Sequence, residues 1–105
     1  MKSLVVLCTV PTLELAKIMA NGLVKEKLAA CVNIIPNIIS VYEWDDKICE
    51  DKEFLLLIKT NARKYPKLES KILATHRYEV PEIIALPIER GSPAYLKWLG
   101  QFLNR

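Results

Sequence analysis

An apolar run followed by a helical repeat occupies the first quarter of the chain. Residues 4–10 are continuous, apolar and rich in β-branched side chains, which predicts a central strand buried on both faces. Pro11 ends this run, and Thr12 is a suitable N-cap for a helix. Over residues 13–27 apolar side chains recur at helical spacing, so the pattern predicts an amphipathic helix there.

Two long extended segments come next, and a short turn separates them. Residues 28–35 and 38–44 predict one strand, interrupted at Pro36, where a proline marks an edge, bend or bulge. Residues 45–47 predict a tight turn, and residues 48–60 predict the returning strand. A hairpin this long exceeds what a core of this size covers. Its outer half carries apolar side chains with no evident partner in the chain, namely Ile39, Val41, Tyr42, Trp44 and Ile48. Because exposed apolar strands promote aggregation, we expect another subunit to cover them.

The last third of the chain predicts two helices and one strand. Residues 62–75 predict a helix with Asn61 as its cap, and Pro66 lies in its first turn. Residues 80–88 predict a strand, and residues 94–103 a short terminal helix that Ser92 caps. The order β-α-β-β-α-β-α is that of the α+β, ferredoxin-like fold with a split βαβ pattern and an added C-terminal helix. We expect a single domain over residues 1–105.

Composition and charge exclude several classes of protein. The 105 residues are 51% hydrophobic and 26% charged, which is ordinary for a globular domain. The net charge is +3 and basic residues alternate with acidic ones, so no nucleic-acid patch is indicated. No apolar run reaches the roughly 18 residues of a membrane span, so we expect no membrane insertion and a cytoplasmic location. Three widely separated cysteines argue against a disulfide framework.

One polar cluster carries the chain's only histidine, at residues 76–82 between a predicted helix and a predicted strand. One interpretation is a metal site with donors from His76, Cys8 and Glu79. The other is structural: His76 and Arg77 complement the dipole of the helix end, and Cys8 packs as a small hydrophobe. The chain contains no P-loop, GxGxxG, GxSxG or HExxH motif and no recognisable nucleophile, so we expect no enzymatic activity.

Several aromatic and charged residues have two readings as well. Tyr42, Trp44 and Trp98 form either an aromatic pocket or part of a subunit interface, where these residue types are enriched. Lys59 either binds an anion or is solvated at its strand end.

The chain resembles the CutA divalent-cation tolerance family. The matching segments are in order and cover almost the whole chain: VVLCTVP at residues 5–11, KLAACVNIIP at 27–36, SVYEW at 40–44, LLIKT at 56–60, HRYEVPE at 76–82, LPI at 86–88 and YLKW at 95–98. Compared with the family pattern, Arg77 replaces a proline, Thr75 replaces a histidine found in some members, and Asp46 replaces a turn glycine.

The resemblance implies a ferredoxin-like protomer assembled as a homotrimer similar to the PII signalling proteins. It also implies a role in tolerance to divalent cations, above all copper, with Cys8 and His76 among the metal ligands. The leading hypothesis is therefore a trimeric metal-binding protein without enzymatic activity or organic cofactor. The alternatives are a PII-like sensor of a small anionic or zwitterionic ligand, and a signalling scaffold. The sensor's intersubunit clefts would be lined by Tyr42, Trp44, Glu53, Lys59, Tyr78, Glu79 and Trp98.

Overall fold

The computed structural model describes residues 2–104, which form four strands and three helices. In chain order these are β1 (Ser3–Val10), α1 (Leu13–Lys25), β2 (Cys31–Trp44), β3 (Lys47–Asn61), α2 (Tyr65–Thr75), β4 (Ile83–Pro87) and α3 (Pro93–Leu103). The strands form one antiparallel sheet in the order β2-β3-β1-β4. This order is the one that the split βαβ pattern requires, so the predicted α+β fold is confirmed.

One face of the sheet carries the main hydrophobic core. Strands β1 and β3 pair Val6 with Ile58 and Cys8 with Leu56, and directly paired residues project from the same face. These side chains are fully buried against apolar positions of the two first helices, namely Leu15, Ala16, Met19 and Leu23 of α1 and Leu68 and Ile72 of α2. Each large side chain buried in this way contributes about 1.5–3 kcal/mol.

The start of β2 differs from the prediction because α1 ends in a tight hydrogen-bonded turn. Lys27 has a positive φ of 58° and follows the helix as the residue that reverses the chain. The amide of Lys27 donates to the carbonyl of Val24, and the amide of Leu28 donates to that of Leu23. These are the two hydrogen bonds of a Schellman motif. Residues 28–30 therefore close the helix, and β2 begins at Cys31 instead of residue 28.

The long β2–β3 hairpin is confirmed, including its irregularity. The pairing shifts register between Ile35 and Ile38, and Asn37 has a φ of 59°, as expected for a bulge after Pro36. At the tip Asp45 and Asp46 both have positive φ, which is the geometry of a two-residue type I′ turn. The strand after this turn therefore starts at Lys47.

Two further predicted boundaries are wrong by three residues each. Helix α2 begins at Tyr65 rather than residue 62, because the side chain of Asn61 accepts a hydrogen bond from the amide of Lys64 and holds a turn first. Strand β4 begins at Ile83 rather than residue 80, and within residues 2–104 it pairs with β1 alone. The segment between α2 and β4 is thereby free to form a loop beside the sheet.

The second face of the sheet is only partly covered. Leu99 and Leu103 of α3 bury against Ala30 at one end of this region. Elsewhere Leu7 pairs with Leu57 and Ile84, which places these three side chains on the face opposite the main core. Ile84 is exposed on this face. None of the helices within residues 2–104 has the length and apolar character to cross a membrane.

Candidate functional site

A cleft of about 520 Å³ lies where the outer half of the hairpin faces the loop between α2 and β4. Strand β1 contributes its end, the two hairpin strands contribute one wall, and the loop contributes the other. The lining residues are Thr9, Ser40, Val41, Tyr42, Trp44, Glu53, Arg77, Tyr78, Glu79, Val80 and Glu82. Of the seven residues that we assigned to intersubunit clefts, five line this cleft of one chain, namely Tyr42, Trp44, Glu53, Tyr78 and Glu79.

Glu53 is the most deeply placed acidic residue of the cleft. Only 6% of its surface is exposed, although the carboxylate lines the cavity. The hydroxyl of Tyr78 donates a hydrogen bond to Glu53 Oε2 at 2.6 Å. Burial raises the pKa of Tyr78, and the hydrogen bond to Glu53 raises this pKa further. Tyr78 therefore stays protonated and acts as a hydrogen-bond donor.

Tyr42 makes the equivalent contact nearer the hairpin tip. Its hydroxyl donates to Asp51 Oδ2 on the paired strand. This hydrogen bond is the largest of the effects that raise the pKa of Tyr42 to about 12. Two tyrosine–carboxylate hydrogen bonds therefore lie along the hairpin wall, and the tyrosine hydroxyl is the donor in both.

The cleft is electronegative. Glu53, Glu79 and Glu82 line it, whereas Arg77 is its only lysine or arginine among the lining residues. The guanidinium of Arg77 also lies 4.0 Å from Glu14 Oε1 of α1, a long ion pair between two exposed side chains. An electronegative cavity attracts cations and disfavours the anionic ligand that we considered from the sequence.

His76 lies beside the cleft with both ring nitrogens in hydrogen bonds. The amide of Tyr78 can only donate, so His76 Nδ1 accepts this hydrogen bond, at 3.1 Å. His76 Nε2 therefore carries the proton and donates it to the carbonyl oxygen of Thr9, at 2.7 Å. The ring also contacts that of Tyr78, with centroids 4.7 Å apart. In this arrangement neither nitrogen has a free lone pair for a metal ion.

Cys8 lies on the side of β1 that faces the main core. Its side chain is fully buried in the main core between the sheet and the helices. Burial, followed by the charges of Glu82 and Glu53, raises the pKa of Cys8 to about 12, so the thiol is protonated. Within residues 2–104 no three His, Cys, Asp or Glu side chains are arranged to hold a metal ion. The metal site at Cys8, His76 and Glu79 therefore stays a prediction. Among the described residues of one chain, these three side chains are not arranged around a common point.

Lys59 and Trp98 lie away from this cleft in the single chain. The ammonium group of Lys59 donates to Asn33 Oδ1 and lies 4.0 Å from Cys31 Sγ. Trp98 packs on α3 against Tyr95, with ring centroids 5.6 Å apart. Conversely, Ser40 and Glu82 line the cleft although we did not select them from the sequence. Glu82 belongs to the cluster at residues 76–82, which was a usable signal, whereas nothing in the sequence distinguishes Ser40.

Comparison with known proteins identifies the family. The family model described as CutA1 divalent ion tolerance protein matches residues 4–101. The chain belongs to this CutA1 family. A curated relative, the divalent-cation tolerance protein CutA of Thermus thermophilus, is 53% identical over 92% of this chain and 94% of its own length. The Arabidopsis thaliana protein CutA, named chloroplastic, is 55% identical over 92% of this chain, which spans 53% of that relative.

A solved structure supports the CutA1 assignment and the fold together. The CutA structure from Archaeoglobus fulgidus has a TM-score of 0.93 at 39% identity, covering 96% of this chain and 98% of that one. It is described as a periplasmic divalent cation tolerance protein. Relatives in the CutA1 family are thus assigned to different compartments. None of these names denotes an enzymatic activity. The family model, the Thermus relative and the Archaeoglobus structure are named for divalent ions or cations, and the Arabidopsis relative is not.

Proposed function

We propose that this CutA1-family chain contributes to divalent-cation tolerance by binding cations in the acidic cleft. The observation that carries the proposal is the charge of the lining, which holds three carboxylates and one arginine. Carboxylate oxygens are ligands for divalent cations, and cations of borderline softness such as Cu²⁺ and Zn²⁺ also accept them. We propose Glu53, Glu79 and Glu82 as candidate ligands, of which one chain contributes fewer than three to any one ion.

A bound ion would need further donors. Because one chain offers no cluster of three suitable side chains within the described residues 2–104, we propose that a neighbouring copy completes the coordination. The competing ligand set is Cys8, His76 and Glu79. Binding there requires His76 to give up a hydrogen bond and the buried Cys8 thiol to lose its proton, and both steps cost free energy.

Calorimetric titration separates the two ligand sets. Cu²⁺ and Zn²⁺ would be titrated separately into the wild type and into the Glu82→Gln, His76→Ala and Glu89→Gln variants. We expect the affinity to fall at least about tenfold in Glu82→Gln, by loss of one charged ligand. Glu89→Gln removes an exposed carboxylate outside the cleft and is the matched control. Binding lost in His76→Ala and retained in Glu82→Gln would refute the proposal.

We propose that the protomer functions as a homotrimer. In support, Ile39 and Ile48 on the outer hairpin are 64% and 73% exposed, and Ile84 on the second sheet face is also exposed. Soluble monomers rarely expose large apolar patches, and copies of the same chain would cover these side chains. Sedimentation equilibrium would then give the mass of three protomers, and Ile48→Asp would lower it. Leu73→Asp, which alters an exposed leucine of α2, is the control. A one-protomer mass at micromolar concentration would contradict the trimer.

A PII-like sensor of small ligands is the second candidate, and the size of the cleft favours it. A cavity of about 520 Å³ exceeds the need of a single ion and lies within the usual range of about 300–1,000 Å³ for small-molecule sites. A thermal-shift screen of metabolites tests it, since a ligand that binds the folded state raises the melting temperature. For either function we propose the cytoplasm as the location, in keeping with three free cysteines.

A further inference from the structure

We propose that a lysine-lined pocket between helices α1 and α2 binds an oligophosphate anion, which is a short chain of linked phosphate groups, free or esterified. The pocket has a volume of about 600 Å³. Its lining residues are Glu26, Leu28, Lys64, Pro66, Lys67, Ser70 and Lys71. The pocket shares no lining residue with the acidic cleft, so this inference does not depend on the proposed metal function.

The lysine pocket lies on the helix side of the sheet. Its lining comes from α2, from the residue before α2 and from the turn after α1. Among the described residues, the outer hairpin, β4 and α3 contribute nothing to this lining. The proposed homotrimer would cover the outer hairpin and the second sheet face. The surfaces that form the lysine pocket are therefore not those that the assembly would bury.

The lysine pocket is electropositive. Three lysines line it, and Glu26 is the one carboxylate among the described lining residues. Glu26 Oε2 lies 2.6 Å from Lys71 Nζ, so this carboxylate already has a cationic partner. Within residues 2–104 the ammonium groups of Lys64 and Lys67 form no ion pair. Two positive charges are therefore available to an anion, which the field of the pocket would attract.

The spacing of the lysines matches an elongated anion. Lys64, Lys67 and Lys71 are three and four residues apart, so their side chains lie on one face of α2. Seven residues of α-helix span about 10 Å, which is longer than one phosphate ion and comparable to a short chain of phosphates. Lysine binds phosphate as a point charge, and the hydroxyl of Ser70 is a further donor in the lining. The volume of the pocket also exceeds the need of a single ion and lies within the usual range of about 300–1,000 Å³ for small-molecule sites.

The same lysines are unfavourable for α2 itself. The first turn of α2 contains no acidic residue, and Lys64 at the N-cap makes no side-chain capping hydrogen bond. Because the helix dipole is positive at this end, lysines at positions 64 and 67 are repelled by it. A bound anion would offset this repulsion. Replacing Lys67 with glutamate should therefore stabilise the free protein and at the same time oppose the binding of an anion.

Calorimetric titration in the presence of EDTA tests the inference, since EDTA removes metal ions that could carry phosphate to the acidic cleft. Tripolyphosphate represents the free anion and a nucleoside triphosphate the esterified one, and the tighter of the two identifies the source. We expect saturable binding of at least one of them to the wild type at millimolar concentration. The affinity should be at least about tenfold weaker in Lys67→Glu, because the charge change replaces an attraction with a repulsion. Lys17→Glu makes the same charge change at an exposed position of α1 outside the pocket, and its affinity should stay within about twofold of the wild type.

Thermal denaturation without ligand separates lost binding from lost folding. Lys67→Glu should melt slightly above the wild type, and Lys67→Gln, which removes the charge without reversing it, should weaken binding by a smaller factor. Absence of saturable binding to the wild type would overturn the inference. It would also be overturned by an affinity that falls no more in Lys67→Glu than in Lys17→Glu, or by tighter binding of a short oligoglutamate peptide than of either phosphate probe. Titration of Zn²⁺ without EDTA tests the acidic cleft separately, so that failure of one proposal leaves the other standing.

Discussion

Replacing His76 with alanine tests whether this histidine holds the structure together or binds metal. Strand β4 ends its pairing with β1 at Cys8, so the carbonyl of the next residue, Thr9, has no strand partner on that side. His76 Nε2 donates to this carbonyl instead, and His76 Nδ1 accepts from the amide of Tyr78. The imidazole ring thus links the loop after α2 to the end of the central strand.

The expected loss of stability follows from these contacts. Two hydrogen bonds contribute about 1 kcal/mol each, and leaving the carbonyl of the buried Thr9 without a partner adds about 1 kcal/mol. The contact between the His76 and Tyr78 rings contributes about 0.5–1 kcal/mol more. We therefore expect His76→Ala to lower the free energy of unfolding by about 3.5–4 kcal/mol.

Urea denaturation at one fixed protomer concentration measures this change, because the stability of an oligomer depends on concentration. Arg77→Ala is the control: its side chain is exposed and its ion pair with Glu14 is long, so a change within about 0.5 kcal/mol is expected. A His76→Ala variant as stable as the wild type that no longer bound Cu²⁺ or Zn²⁺ would refute the reasoning and identify His76 as a metal ligand.

Three further predictions follow from single contacts. Thr60→Val should lower the free energy of unfolding by about 1–3 kcal/mol, because the buried hydroxyl of Thr60 donates to the carbonyl of Leu28 at 2.7 Å; an unchanged denaturation midpoint would contradict it. Asp46→Gly should raise the melting temperature slightly, by relieving about 0.5 kcal/mol of strain at a φ of 62°, and a lower melting temperature would show that the Asp side chain stabilises the turn. Iodoacetamide at about pH 8 should modify Cys49 and spare Cys8, whose burial and pKa of about 12 keep the thiol inaccessible and protonated; mass spectrometry of the native protein that found Cys8 alkylated first would contradict this.

Much of the fold could be predicted from residue patterns because those patterns act locally. Pro36 marks the bulge, Thr12 accepts a hydrogen bond from Leu15 at the start of α1, and the helical spacing of apolar residues identifies the buried face of α1. The wrong boundaries arose where a hydrogen bond overrides the pattern. Lys27 reverses the chain with a positive φ although it is not a glycine, and no apolar periodicity predicts such a residue. Leu73 of α2 is apolar and yet exposed, since Leu68 and Ile72 fill the contact with α1 and the sheet.

The site was harder to predict than the fold because its contacts join distant segments. Glu53 and Tyr78 are 25 residues apart, and His76 and Thr9 are 67 residues apart, so only the tertiary structure reveals their hydrogen bonds. From the residues alone His76 had two interpretations, a metal ligand or a structural helix end, and only the family resemblance favoured the metal ligand. Its two hydrogen bonds instead give the ring a structural role in the single chain, and the carboxylates around it determine the charge of the cleft.

Anomalous diffraction from crystals soaked in Zn²⁺ tests most directly whether the acidic cleft binds cations. Zinc scatters anomalously, so a difference map locates the ion without reference to any assumed ligand. The account predicts a peak within coordination distance of carboxylate oxygens of Glu53, Glu79 or Glu82, which disappears in crystals of Glu82→Gln. A peak between Cys8 and His76, or ions bound only outside the cleft, would contradict it.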